Sequence, residues 1–157
     1  MNAYRMKPLA FPWPPLIYGA AIAAAFLLQA WFPLAVSDTN IWIARAAGGV
    51  LIVTAIVLDV WAMRTLLDNH TTIMPNRCST HLVTSGPYRF TRNPIYLGYT
   101  LATAGMGLAM LNPWCLVTAT VAAAVTSIIA IKREELHLLS RFGIDFERYC
   151  TGTSRWI

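Results

Sequence analysis

Long apolar runs constrain this chain more than any other feature. A helix needs about 20 apolar residues to cross the hydrocarbon core of a bilayer, and residues 16–36, 41–67, 95–111 and 114–131 approach or meet that length. Backbone polar groups must be satisfied internally in lipid, so each run is expected to be helical. With 57% hydrophobic and only 12% charged residues, the chain lacks the polar surface a water-soluble domain of this size requires. The expected fold is all-α: an integral membrane bundle of four transmembrane helices with a C-terminal helical hairpin and short interfacial helices. It forms one domain, 1–157, with two N-terminal spans in 1–67 and the remaining elements in 68–157.

Charge placement orients the bundle. Arg5 and Lys7 precede the first run, Arg64, Arg77, Arg89 and Arg92 lie between the second and third, and Lys132, Arg133, Arg141, Arg148 and Arg155 follow the fourth. With four spans these segments share one side, and the excess of basic residues makes that side cytoplasmic. Both termini are expected there, and the first run reads as a retained span rather than a removed leader. The expected location is a multi-pass protein of a bacterial inner membrane. The net charge of +5 sits at the ends of apolar runs, not in a stripe with interleaved aromatics, so no nucleic-acid partner is expected. Cys78, Cys115 and Cys150 have no paired spacing and read as free thiols. His70 and His137 lack a third ligand at useful spacing, and no metal site is expected.

The third and fourth runs are separated by only Asn112-Pro113, which cannot continue a helix and predicts a hairpin. Gly98, Ala102, Gly105 and Ala109 on one arm, and Ala119, Ala123, Thr126 and Ala130 on the other, form small-residue stripes that would let the two arms approach closely. Counted from the turn at equal rise per residue, Glu134 reaches the depth of Thr91 and Arg92. Glu134 and Glu135 diverge by about 100° on a helix, so one can face a ligand while the other meets Lys132, Arg89 or water. Spacing alone slightly favours local pairing of these glutamates with Arg133 or His137 at the solvated helix end. The stretch from His81 through Gly98 carries a Gly86-Pro87 turn, Pro94 at a helix start and Asn93 in position to cap it. Tyr88, Tyr96, Arg89 and Arg92 can wall a nucleotide-like pocket there or anchor the chain at the headgroups. In the second run, Arg45 reads as interfacial or helix-pairing, and Asp59 as a partner for Arg64 or Arg92.

The segment from His81 to Gly98, followed by Asn112-Pro113, Arg133-Glu134-Glu135, the stretch from Arg141 to Tyr149, and Arg155-Trp156, resembles the isoprenylcysteine carboxyl methyltransferase and phospholipid N-methyltransferase family. The resemblance covers roughly residues 71–156. It implies S-adenosylmethionine as cofactor, bound on the cytosolic side. His81, Leu82 and Val83 would line its adenosine region, and Gly86, Pro87 and Tyr88 would close the loop. Arg92, Asn93, Pro94 and Tyr96 would follow at the helix start, with Glu134 and Glu135 completing the pocket. Asn93 stands where the prenylcysteine branch carries His, and Asn cannot act as a base near neutral pH. The acceptor class therefore stays open between O- and N-methylation of a lipid-like or isoprenoid molecule. Arg92 and Glu134 are the expected catalytic residues, Arg92 orienting or neutralising the acceptor and Glu134 binding the cofactor. The stretch from Phe142 to Tyr149 is expected to lie along the membrane and cover the pocket. Two alternatives remain: a nicotinamide-dependent membrane reductase, and a non-catalytic membrane binding or assembly protein. The sequence is silent on oligomeric state.

Overall fold

The computed structural model describes residues 13–36, 41–71 and 81–157. Arg5, Lys7, the polar turn at 37–40, Arg77 and Cys78 lie outside the described residues. Six α-helices follow one another: α1 (Trp13–Trp31), α2 (Ile41–Asp68), α3 (Pro94–Ala109), α4 (Trp114–Thr126), α5 (Lys132–Phe142) and α6 (Ile144–Gly152). A 3-10 turn at Gly86–Arg89 precedes α3, and a π-turn at Ser127–Ile131 joins α4 to α5. No strand occurs among the described residues; the only bridge there links Thr91 to Ser154.

Three helical stretches are long and apolar enough to cross a membrane: Trp13–Trp31, Ile41–Asp68 and Trp114–Phe142, the last running unbroken through α4, the π-turn and α5. Helix α3 has 16 residues and spans about 24 Å, short of the ~30 Å hydrocarbon thickness. Chain direction alternates. Asn112 donates to the Ala25 carbonyl (3.2 Å) and the Trp114 indole to the Phe32 carbonyl (2.9 Å), fixing the end of α1 against the start of α4. At the other end, the Tyr18 hydroxyl bonds Thr100 on α3. The connection between α3 and α4 is the four residues 110–113, with Leu111 at φ 55° and the Asn112 N–H reaching back to the Gly107 carbonyl (2.8 Å).

The small-residue stripe of α3 serves a different partner from the one expected. Its glycines face α2, not α4. A Cβ on Gly105 would lie 2.8 Å from the Gly48 carbonyl oxygen, and a Cβ on Gly98 would overlap the Asp59 carboxylate. The contact with α4 instead uses Gly107, where a Cβ would lie 2.7 Å from the Cys115 Cβ. Gly107, on another face of α3, makes the contact with the sequence-adjacent helix, which frees Gly98 and Gly105 for α2. Of the second stripe, Ala119 and Thr126 on α4 and Ala130 in the π-turn are buried, whereas Ala123 is half-buried.

Gly48 marks the closest approach of α2 and α3: a Cβ there would overlap the Ala109 amide nitrogen and lie 2.6 Å from the Gly105 carbonyl oxygen. Backbone atoms cannot rotate aside, so Gly48→Ala is expected to force the helices apart at a cost of about 1–3 kcal/mol. Gly49→Ala is the matched control, since a Cβ there meets nothing within 4 Å and Ala favours the helix by about 1 kcal/mol. Thermal unfolding in detergent should show the midpoint falling for the first variant and holding or rising for the second.

Candidate functional site at one end of the bundle

The polar residues between the ends of α2 and α3 and beyond α4 come together around the first turn of α3. Pro94 opens that helix at its first position, where a missing N–H costs nothing. Asn93 occupies the capping position but makes no side-chain cap bond; its amide donates to the Arg155 carbonyl instead (2.9 Å). The Asn93 side chain is thus committed to the C-terminal segment, a partner 62 residues away that local spacing could not reveal.

Glu134 and Glu135 take different partners, as their divergence on the helix requires. Tyr96 donates its hydroxyl to Glu134 Oε1 at 2.6 Å. Glu135 accepts two bonds from Arg155, Nε to Oε1 at 3.0 Å and Nη2 to Oε2 at 2.6 Å, and Arg92 Nη1 lies 3.4 Å from Oε1. The expected partners Lys132 and Arg89 are exposed and outside this network. Arg92 also points Nη1 at the Cys150 thiol, and its Nε is buried without a hydrogen-bond partner among the described residues. Equal rise along α3 and α4 placed Glu134 opposite Arg92. The π-turn at Ser127–Ile131 inserts extra residues per turn and re-phases α5, so that Glu135 meets Arg92 and Glu134 meets Tyr96.

The C-terminal residues act as a strap across the loop. The Arg92 N–H bonds the Ser154 carbonyl (3.0 Å), the Thr91 hydroxyl the Arg155 carbonyl (3.3 Å), and the Thr153 hydroxyl the Arg89 carbonyl (3.4 Å). Trp156 then donates its indole N–H to Ser127 Oγ in the π-turn (3.2 Å). The expected single stretch from Phe142 to Tyr149 is broken at Gly143, whose φ of 53° ends α5 and starts α6. From α6 the Tyr149 hydroxyl donates to the Tyr88 carbonyl at 2.6 Å. Burial, opposed by nearby Arg92 and helped by Cys150, pushes the Tyr149 phenol well above its ordinary value of 10.0, so it remains a donor at any physiological pH. A raised phenol favours the folded state fully below the unfolded value and loses that advantage as pH rises past about 10. Tyr149→Phe is expected to cost about 1 kcal/mol and to flatten the alkaline fall of the thermal midpoint.

The other expected site residues divide into buried and open sets. Val83, Pro87, Asn93, Pro94 and Tyr96 are buried, Gly86 and Tyr88 are half-buried, and His81 is exposed. Gly86 has φ 59° and packs so tightly that a Cβ would lie 2.6 Å from Thr65 Oγ1 on α2. An open groove of about 570 Å³, within the range of small-molecule sites, runs beside the loop. It is lined by Leu82, Thr84 and Arg89 from the loop and by Asp145, Arg148, Tyr149, Gly152 and Thr153 from the α6 region. Tyr149, in the groove wall, bonds the Tyr88 carbonyl, and the Tyr88 phenol lies close enough to Glu134 to feel its charge. The site contacts of Arg155, Tyr149 and Cys150 are long-range and out of reach of local spacing. The Arg155-Trp156 pair near the chain end was the only sequence signal for the strap.

These features define a helical membrane protein whose ionic and hydrogen-bonding machinery is gathered at one end of the bundle. Residues 43–145 match the family described as phospholipid methyltransferase. The match covers well over half of the chain, which belongs to that family. A curated relative, the protein-S-isoprenylcysteine O-methyltransferase of Xenopus laevis, is 35% identical over 104 residues, or 65% of this chain. The matched region is only 36% of that relative's length.

Proposed function

We propose that this chain transfers a methyl group from S-adenosylmethionine to a lipid-like or isoprenoid acceptor at the cytoplasmic face of the membrane. Helix α3 would act as a fourth, short span, completed in depth by the loop before it. The observation that carries the reading is the split of the acidic pair. Glu135 is neutralised by Arg92 and Arg155, whereas Glu134 meets a neutral phenol and no Lys or Arg among the described residues.

The residues fit the cofactor. A half-buried carboxylate paired with no Lys or Arg among the described residues favours a positively charged ligand group, and the partnerless Arg92 Nε offers a donor to a ligand carboxylate. S-adenosylmethionine, when bound, supplies a methyl carbon already activated by its sulfonium. Little acid or base chemistry is then needed from the protein, whose task is alignment and exclusion of water. Tyr96 orients Glu134, the Glu135–Arg155 pair holds Arg92 in place, and the strap closes the loop over the first turn of α3. His81, Leu82 and Val83 with Gly86, Pro87 and Tyr88 would border the adenosine, next to the groove beneath α6. An apolar acceptor tail would reach the site sideways from the lipid.

Calorimetry on the detergent-solubilised protein tests this reading. S-adenosylhomocysteine is expected to bind and reduced nicotinamide cofactors are not. Binding of the nicotinamides alone would replace the reading with a reductase, and binding of neither with a non-catalytic membrane protein.

A further inference from the structure

A second acidic group stands on the opposite flank of α3. Asp59 lies in the second half of α2, and its Oδ1 is buried with no hydrogen-bond partner among the described residues. Neither of the expected partners, Arg64 and Arg92, forms an ion pair with it: Arg64 is exposed and Arg92 is directed to Glu135 and Cys150. The carboxylate fits only because residue 98 is glycine, since any Cβ there would overlap it. Gly98 is about 3 Å of helical rise beyond Tyr96, so Asp59 and Glu134 sit at similar depth on either side of α3. Both charges reach the half-buried Tyr88 phenol, which burial first, and then Glu134, Tyr149 and Asp59, push upward.

An uncompensated carboxylate inside a membrane protein is costly unless it takes up a proton or a cation completes it. Access to this one is apolar. Ile56, one turn earlier on the same side of α2, is 57% exposed, and Ile52 one turn before that is half-buried against α3. An aliphatic tail can therefore lie along the seam with its head at Asp59.

We propose that Asp59, in the gap left by Gly98, is a binding site in the α2–α3 seam for the ammonium head of an amphiphile whose tail lies along Ile56 and Ile52. An anionic head is repelled there by the carboxylate, and a neutral donor gains a hydrogen bond but no charge pairing, so an ammonium is favoured over both. Naming the bound amine as the methyl acceptor rests on the methyl-transfer reading above; the binding itself does not.

The test uses the whole chain in dodecyl maltoside micelles, which carry no ammonium groups. Titrations with dodecylammonium, dodecanol, dodecanoate and methylammonium are read by the rise in thermal midpoint. Dodecylammonium is expected to bind wild type at least tenfold more tightly than Asp59→Asn, while dodecanol binds both alike. Gly98→Ala, whose methyl displaces the carboxylate, should lose the same preference. Equal affinity of dodecylammonium for wild type and Asp59→Asn would overturn the site, as would dodecanoate binding wild type equally well. Methylammonium binding as tightly as dodecylammonium would overturn the role of the seam. Should both variants fail to fold, the discrimination between dodecylammonium and dodecanoate by wild type alone decides. S-adenosylhomocysteine titrated alongside separates the two readings, because its binding is expected to be unchanged by Asp59→Asn.

Discussion

Glu135→Ala is expected to lower stability by about 2 kcal/mol and to loosen the C-terminal strap from the loop. Removing this carboxylate leaves two guanidinium groups without their anion. Breaking a fully buried pair costs roughly 3–5 kcal/mol. Here Arg155 is 39% exposed and water recovers part of its loss, while Arg92 at 15% recovers little. For a chain of this length the midpoint should fall by roughly 4–8 °C. Intrinsic fluorescence during thermal unfolding in detergent measures it, and Trp156 on Ser127 lies close enough to report on the strap. A midpoint within 1 °C of wild type would mean that the Arg92–Glu135–Arg155 cluster is solvated and holds nothing together.

Glu134→Gln should weaken S-adenosylhomocysteine binding more than tenfold, equivalent to about 1.4 kcal/mol. The substitution is chosen for what it preserves. Glutamine keeps an oxygen to accept the 2.6 Å bond from Tyr96, so the α3–α5 contact stays and only the negative charge goes. An unchanged midpoint together with lost affinity assigns the charge to the ligand. Unchanged affinity would remove Glu134 from the pocket, leaving it a buttress for Tyr96.

The contrast between these two glutamates marks how far the sequence could be read. Their adjacency on a helix dictated that they face different partners, because 100° per residue separates them whatever the fold. Which partner each would take depended on the π-turn at Ser127–Ile131, a local change of helical phase without a composition signature in Ser-Ile-Ile-Ala-Ile. The same limit applies to the glycines of α3. Their spacing announced a close helix neighbour, but the neighbour was α2, and the helix adjacent in sequence used Gly107 instead. Asn93 sat at the cap position its chemistry favours, yet a chain segment 62 residues away claimed its amide.

The sequence by itself determined an all-helical membrane fold, the proline-opened start of α3, and the gathering of basic and acidic residues at one end of the bundle. Those properties follow from run length, proline chemistry and the cost of charge in lipid, which act on each segment separately. Tertiary structure alone decided the pairing of Glu135 with Arg92 and Arg155, the strap from Thr153 to Trp156, and the seat of Asp59 against Gly98. Each of these depends on the rotation of one helix about its axis relative to another, and that angle is fixed by the packing of every contact at once.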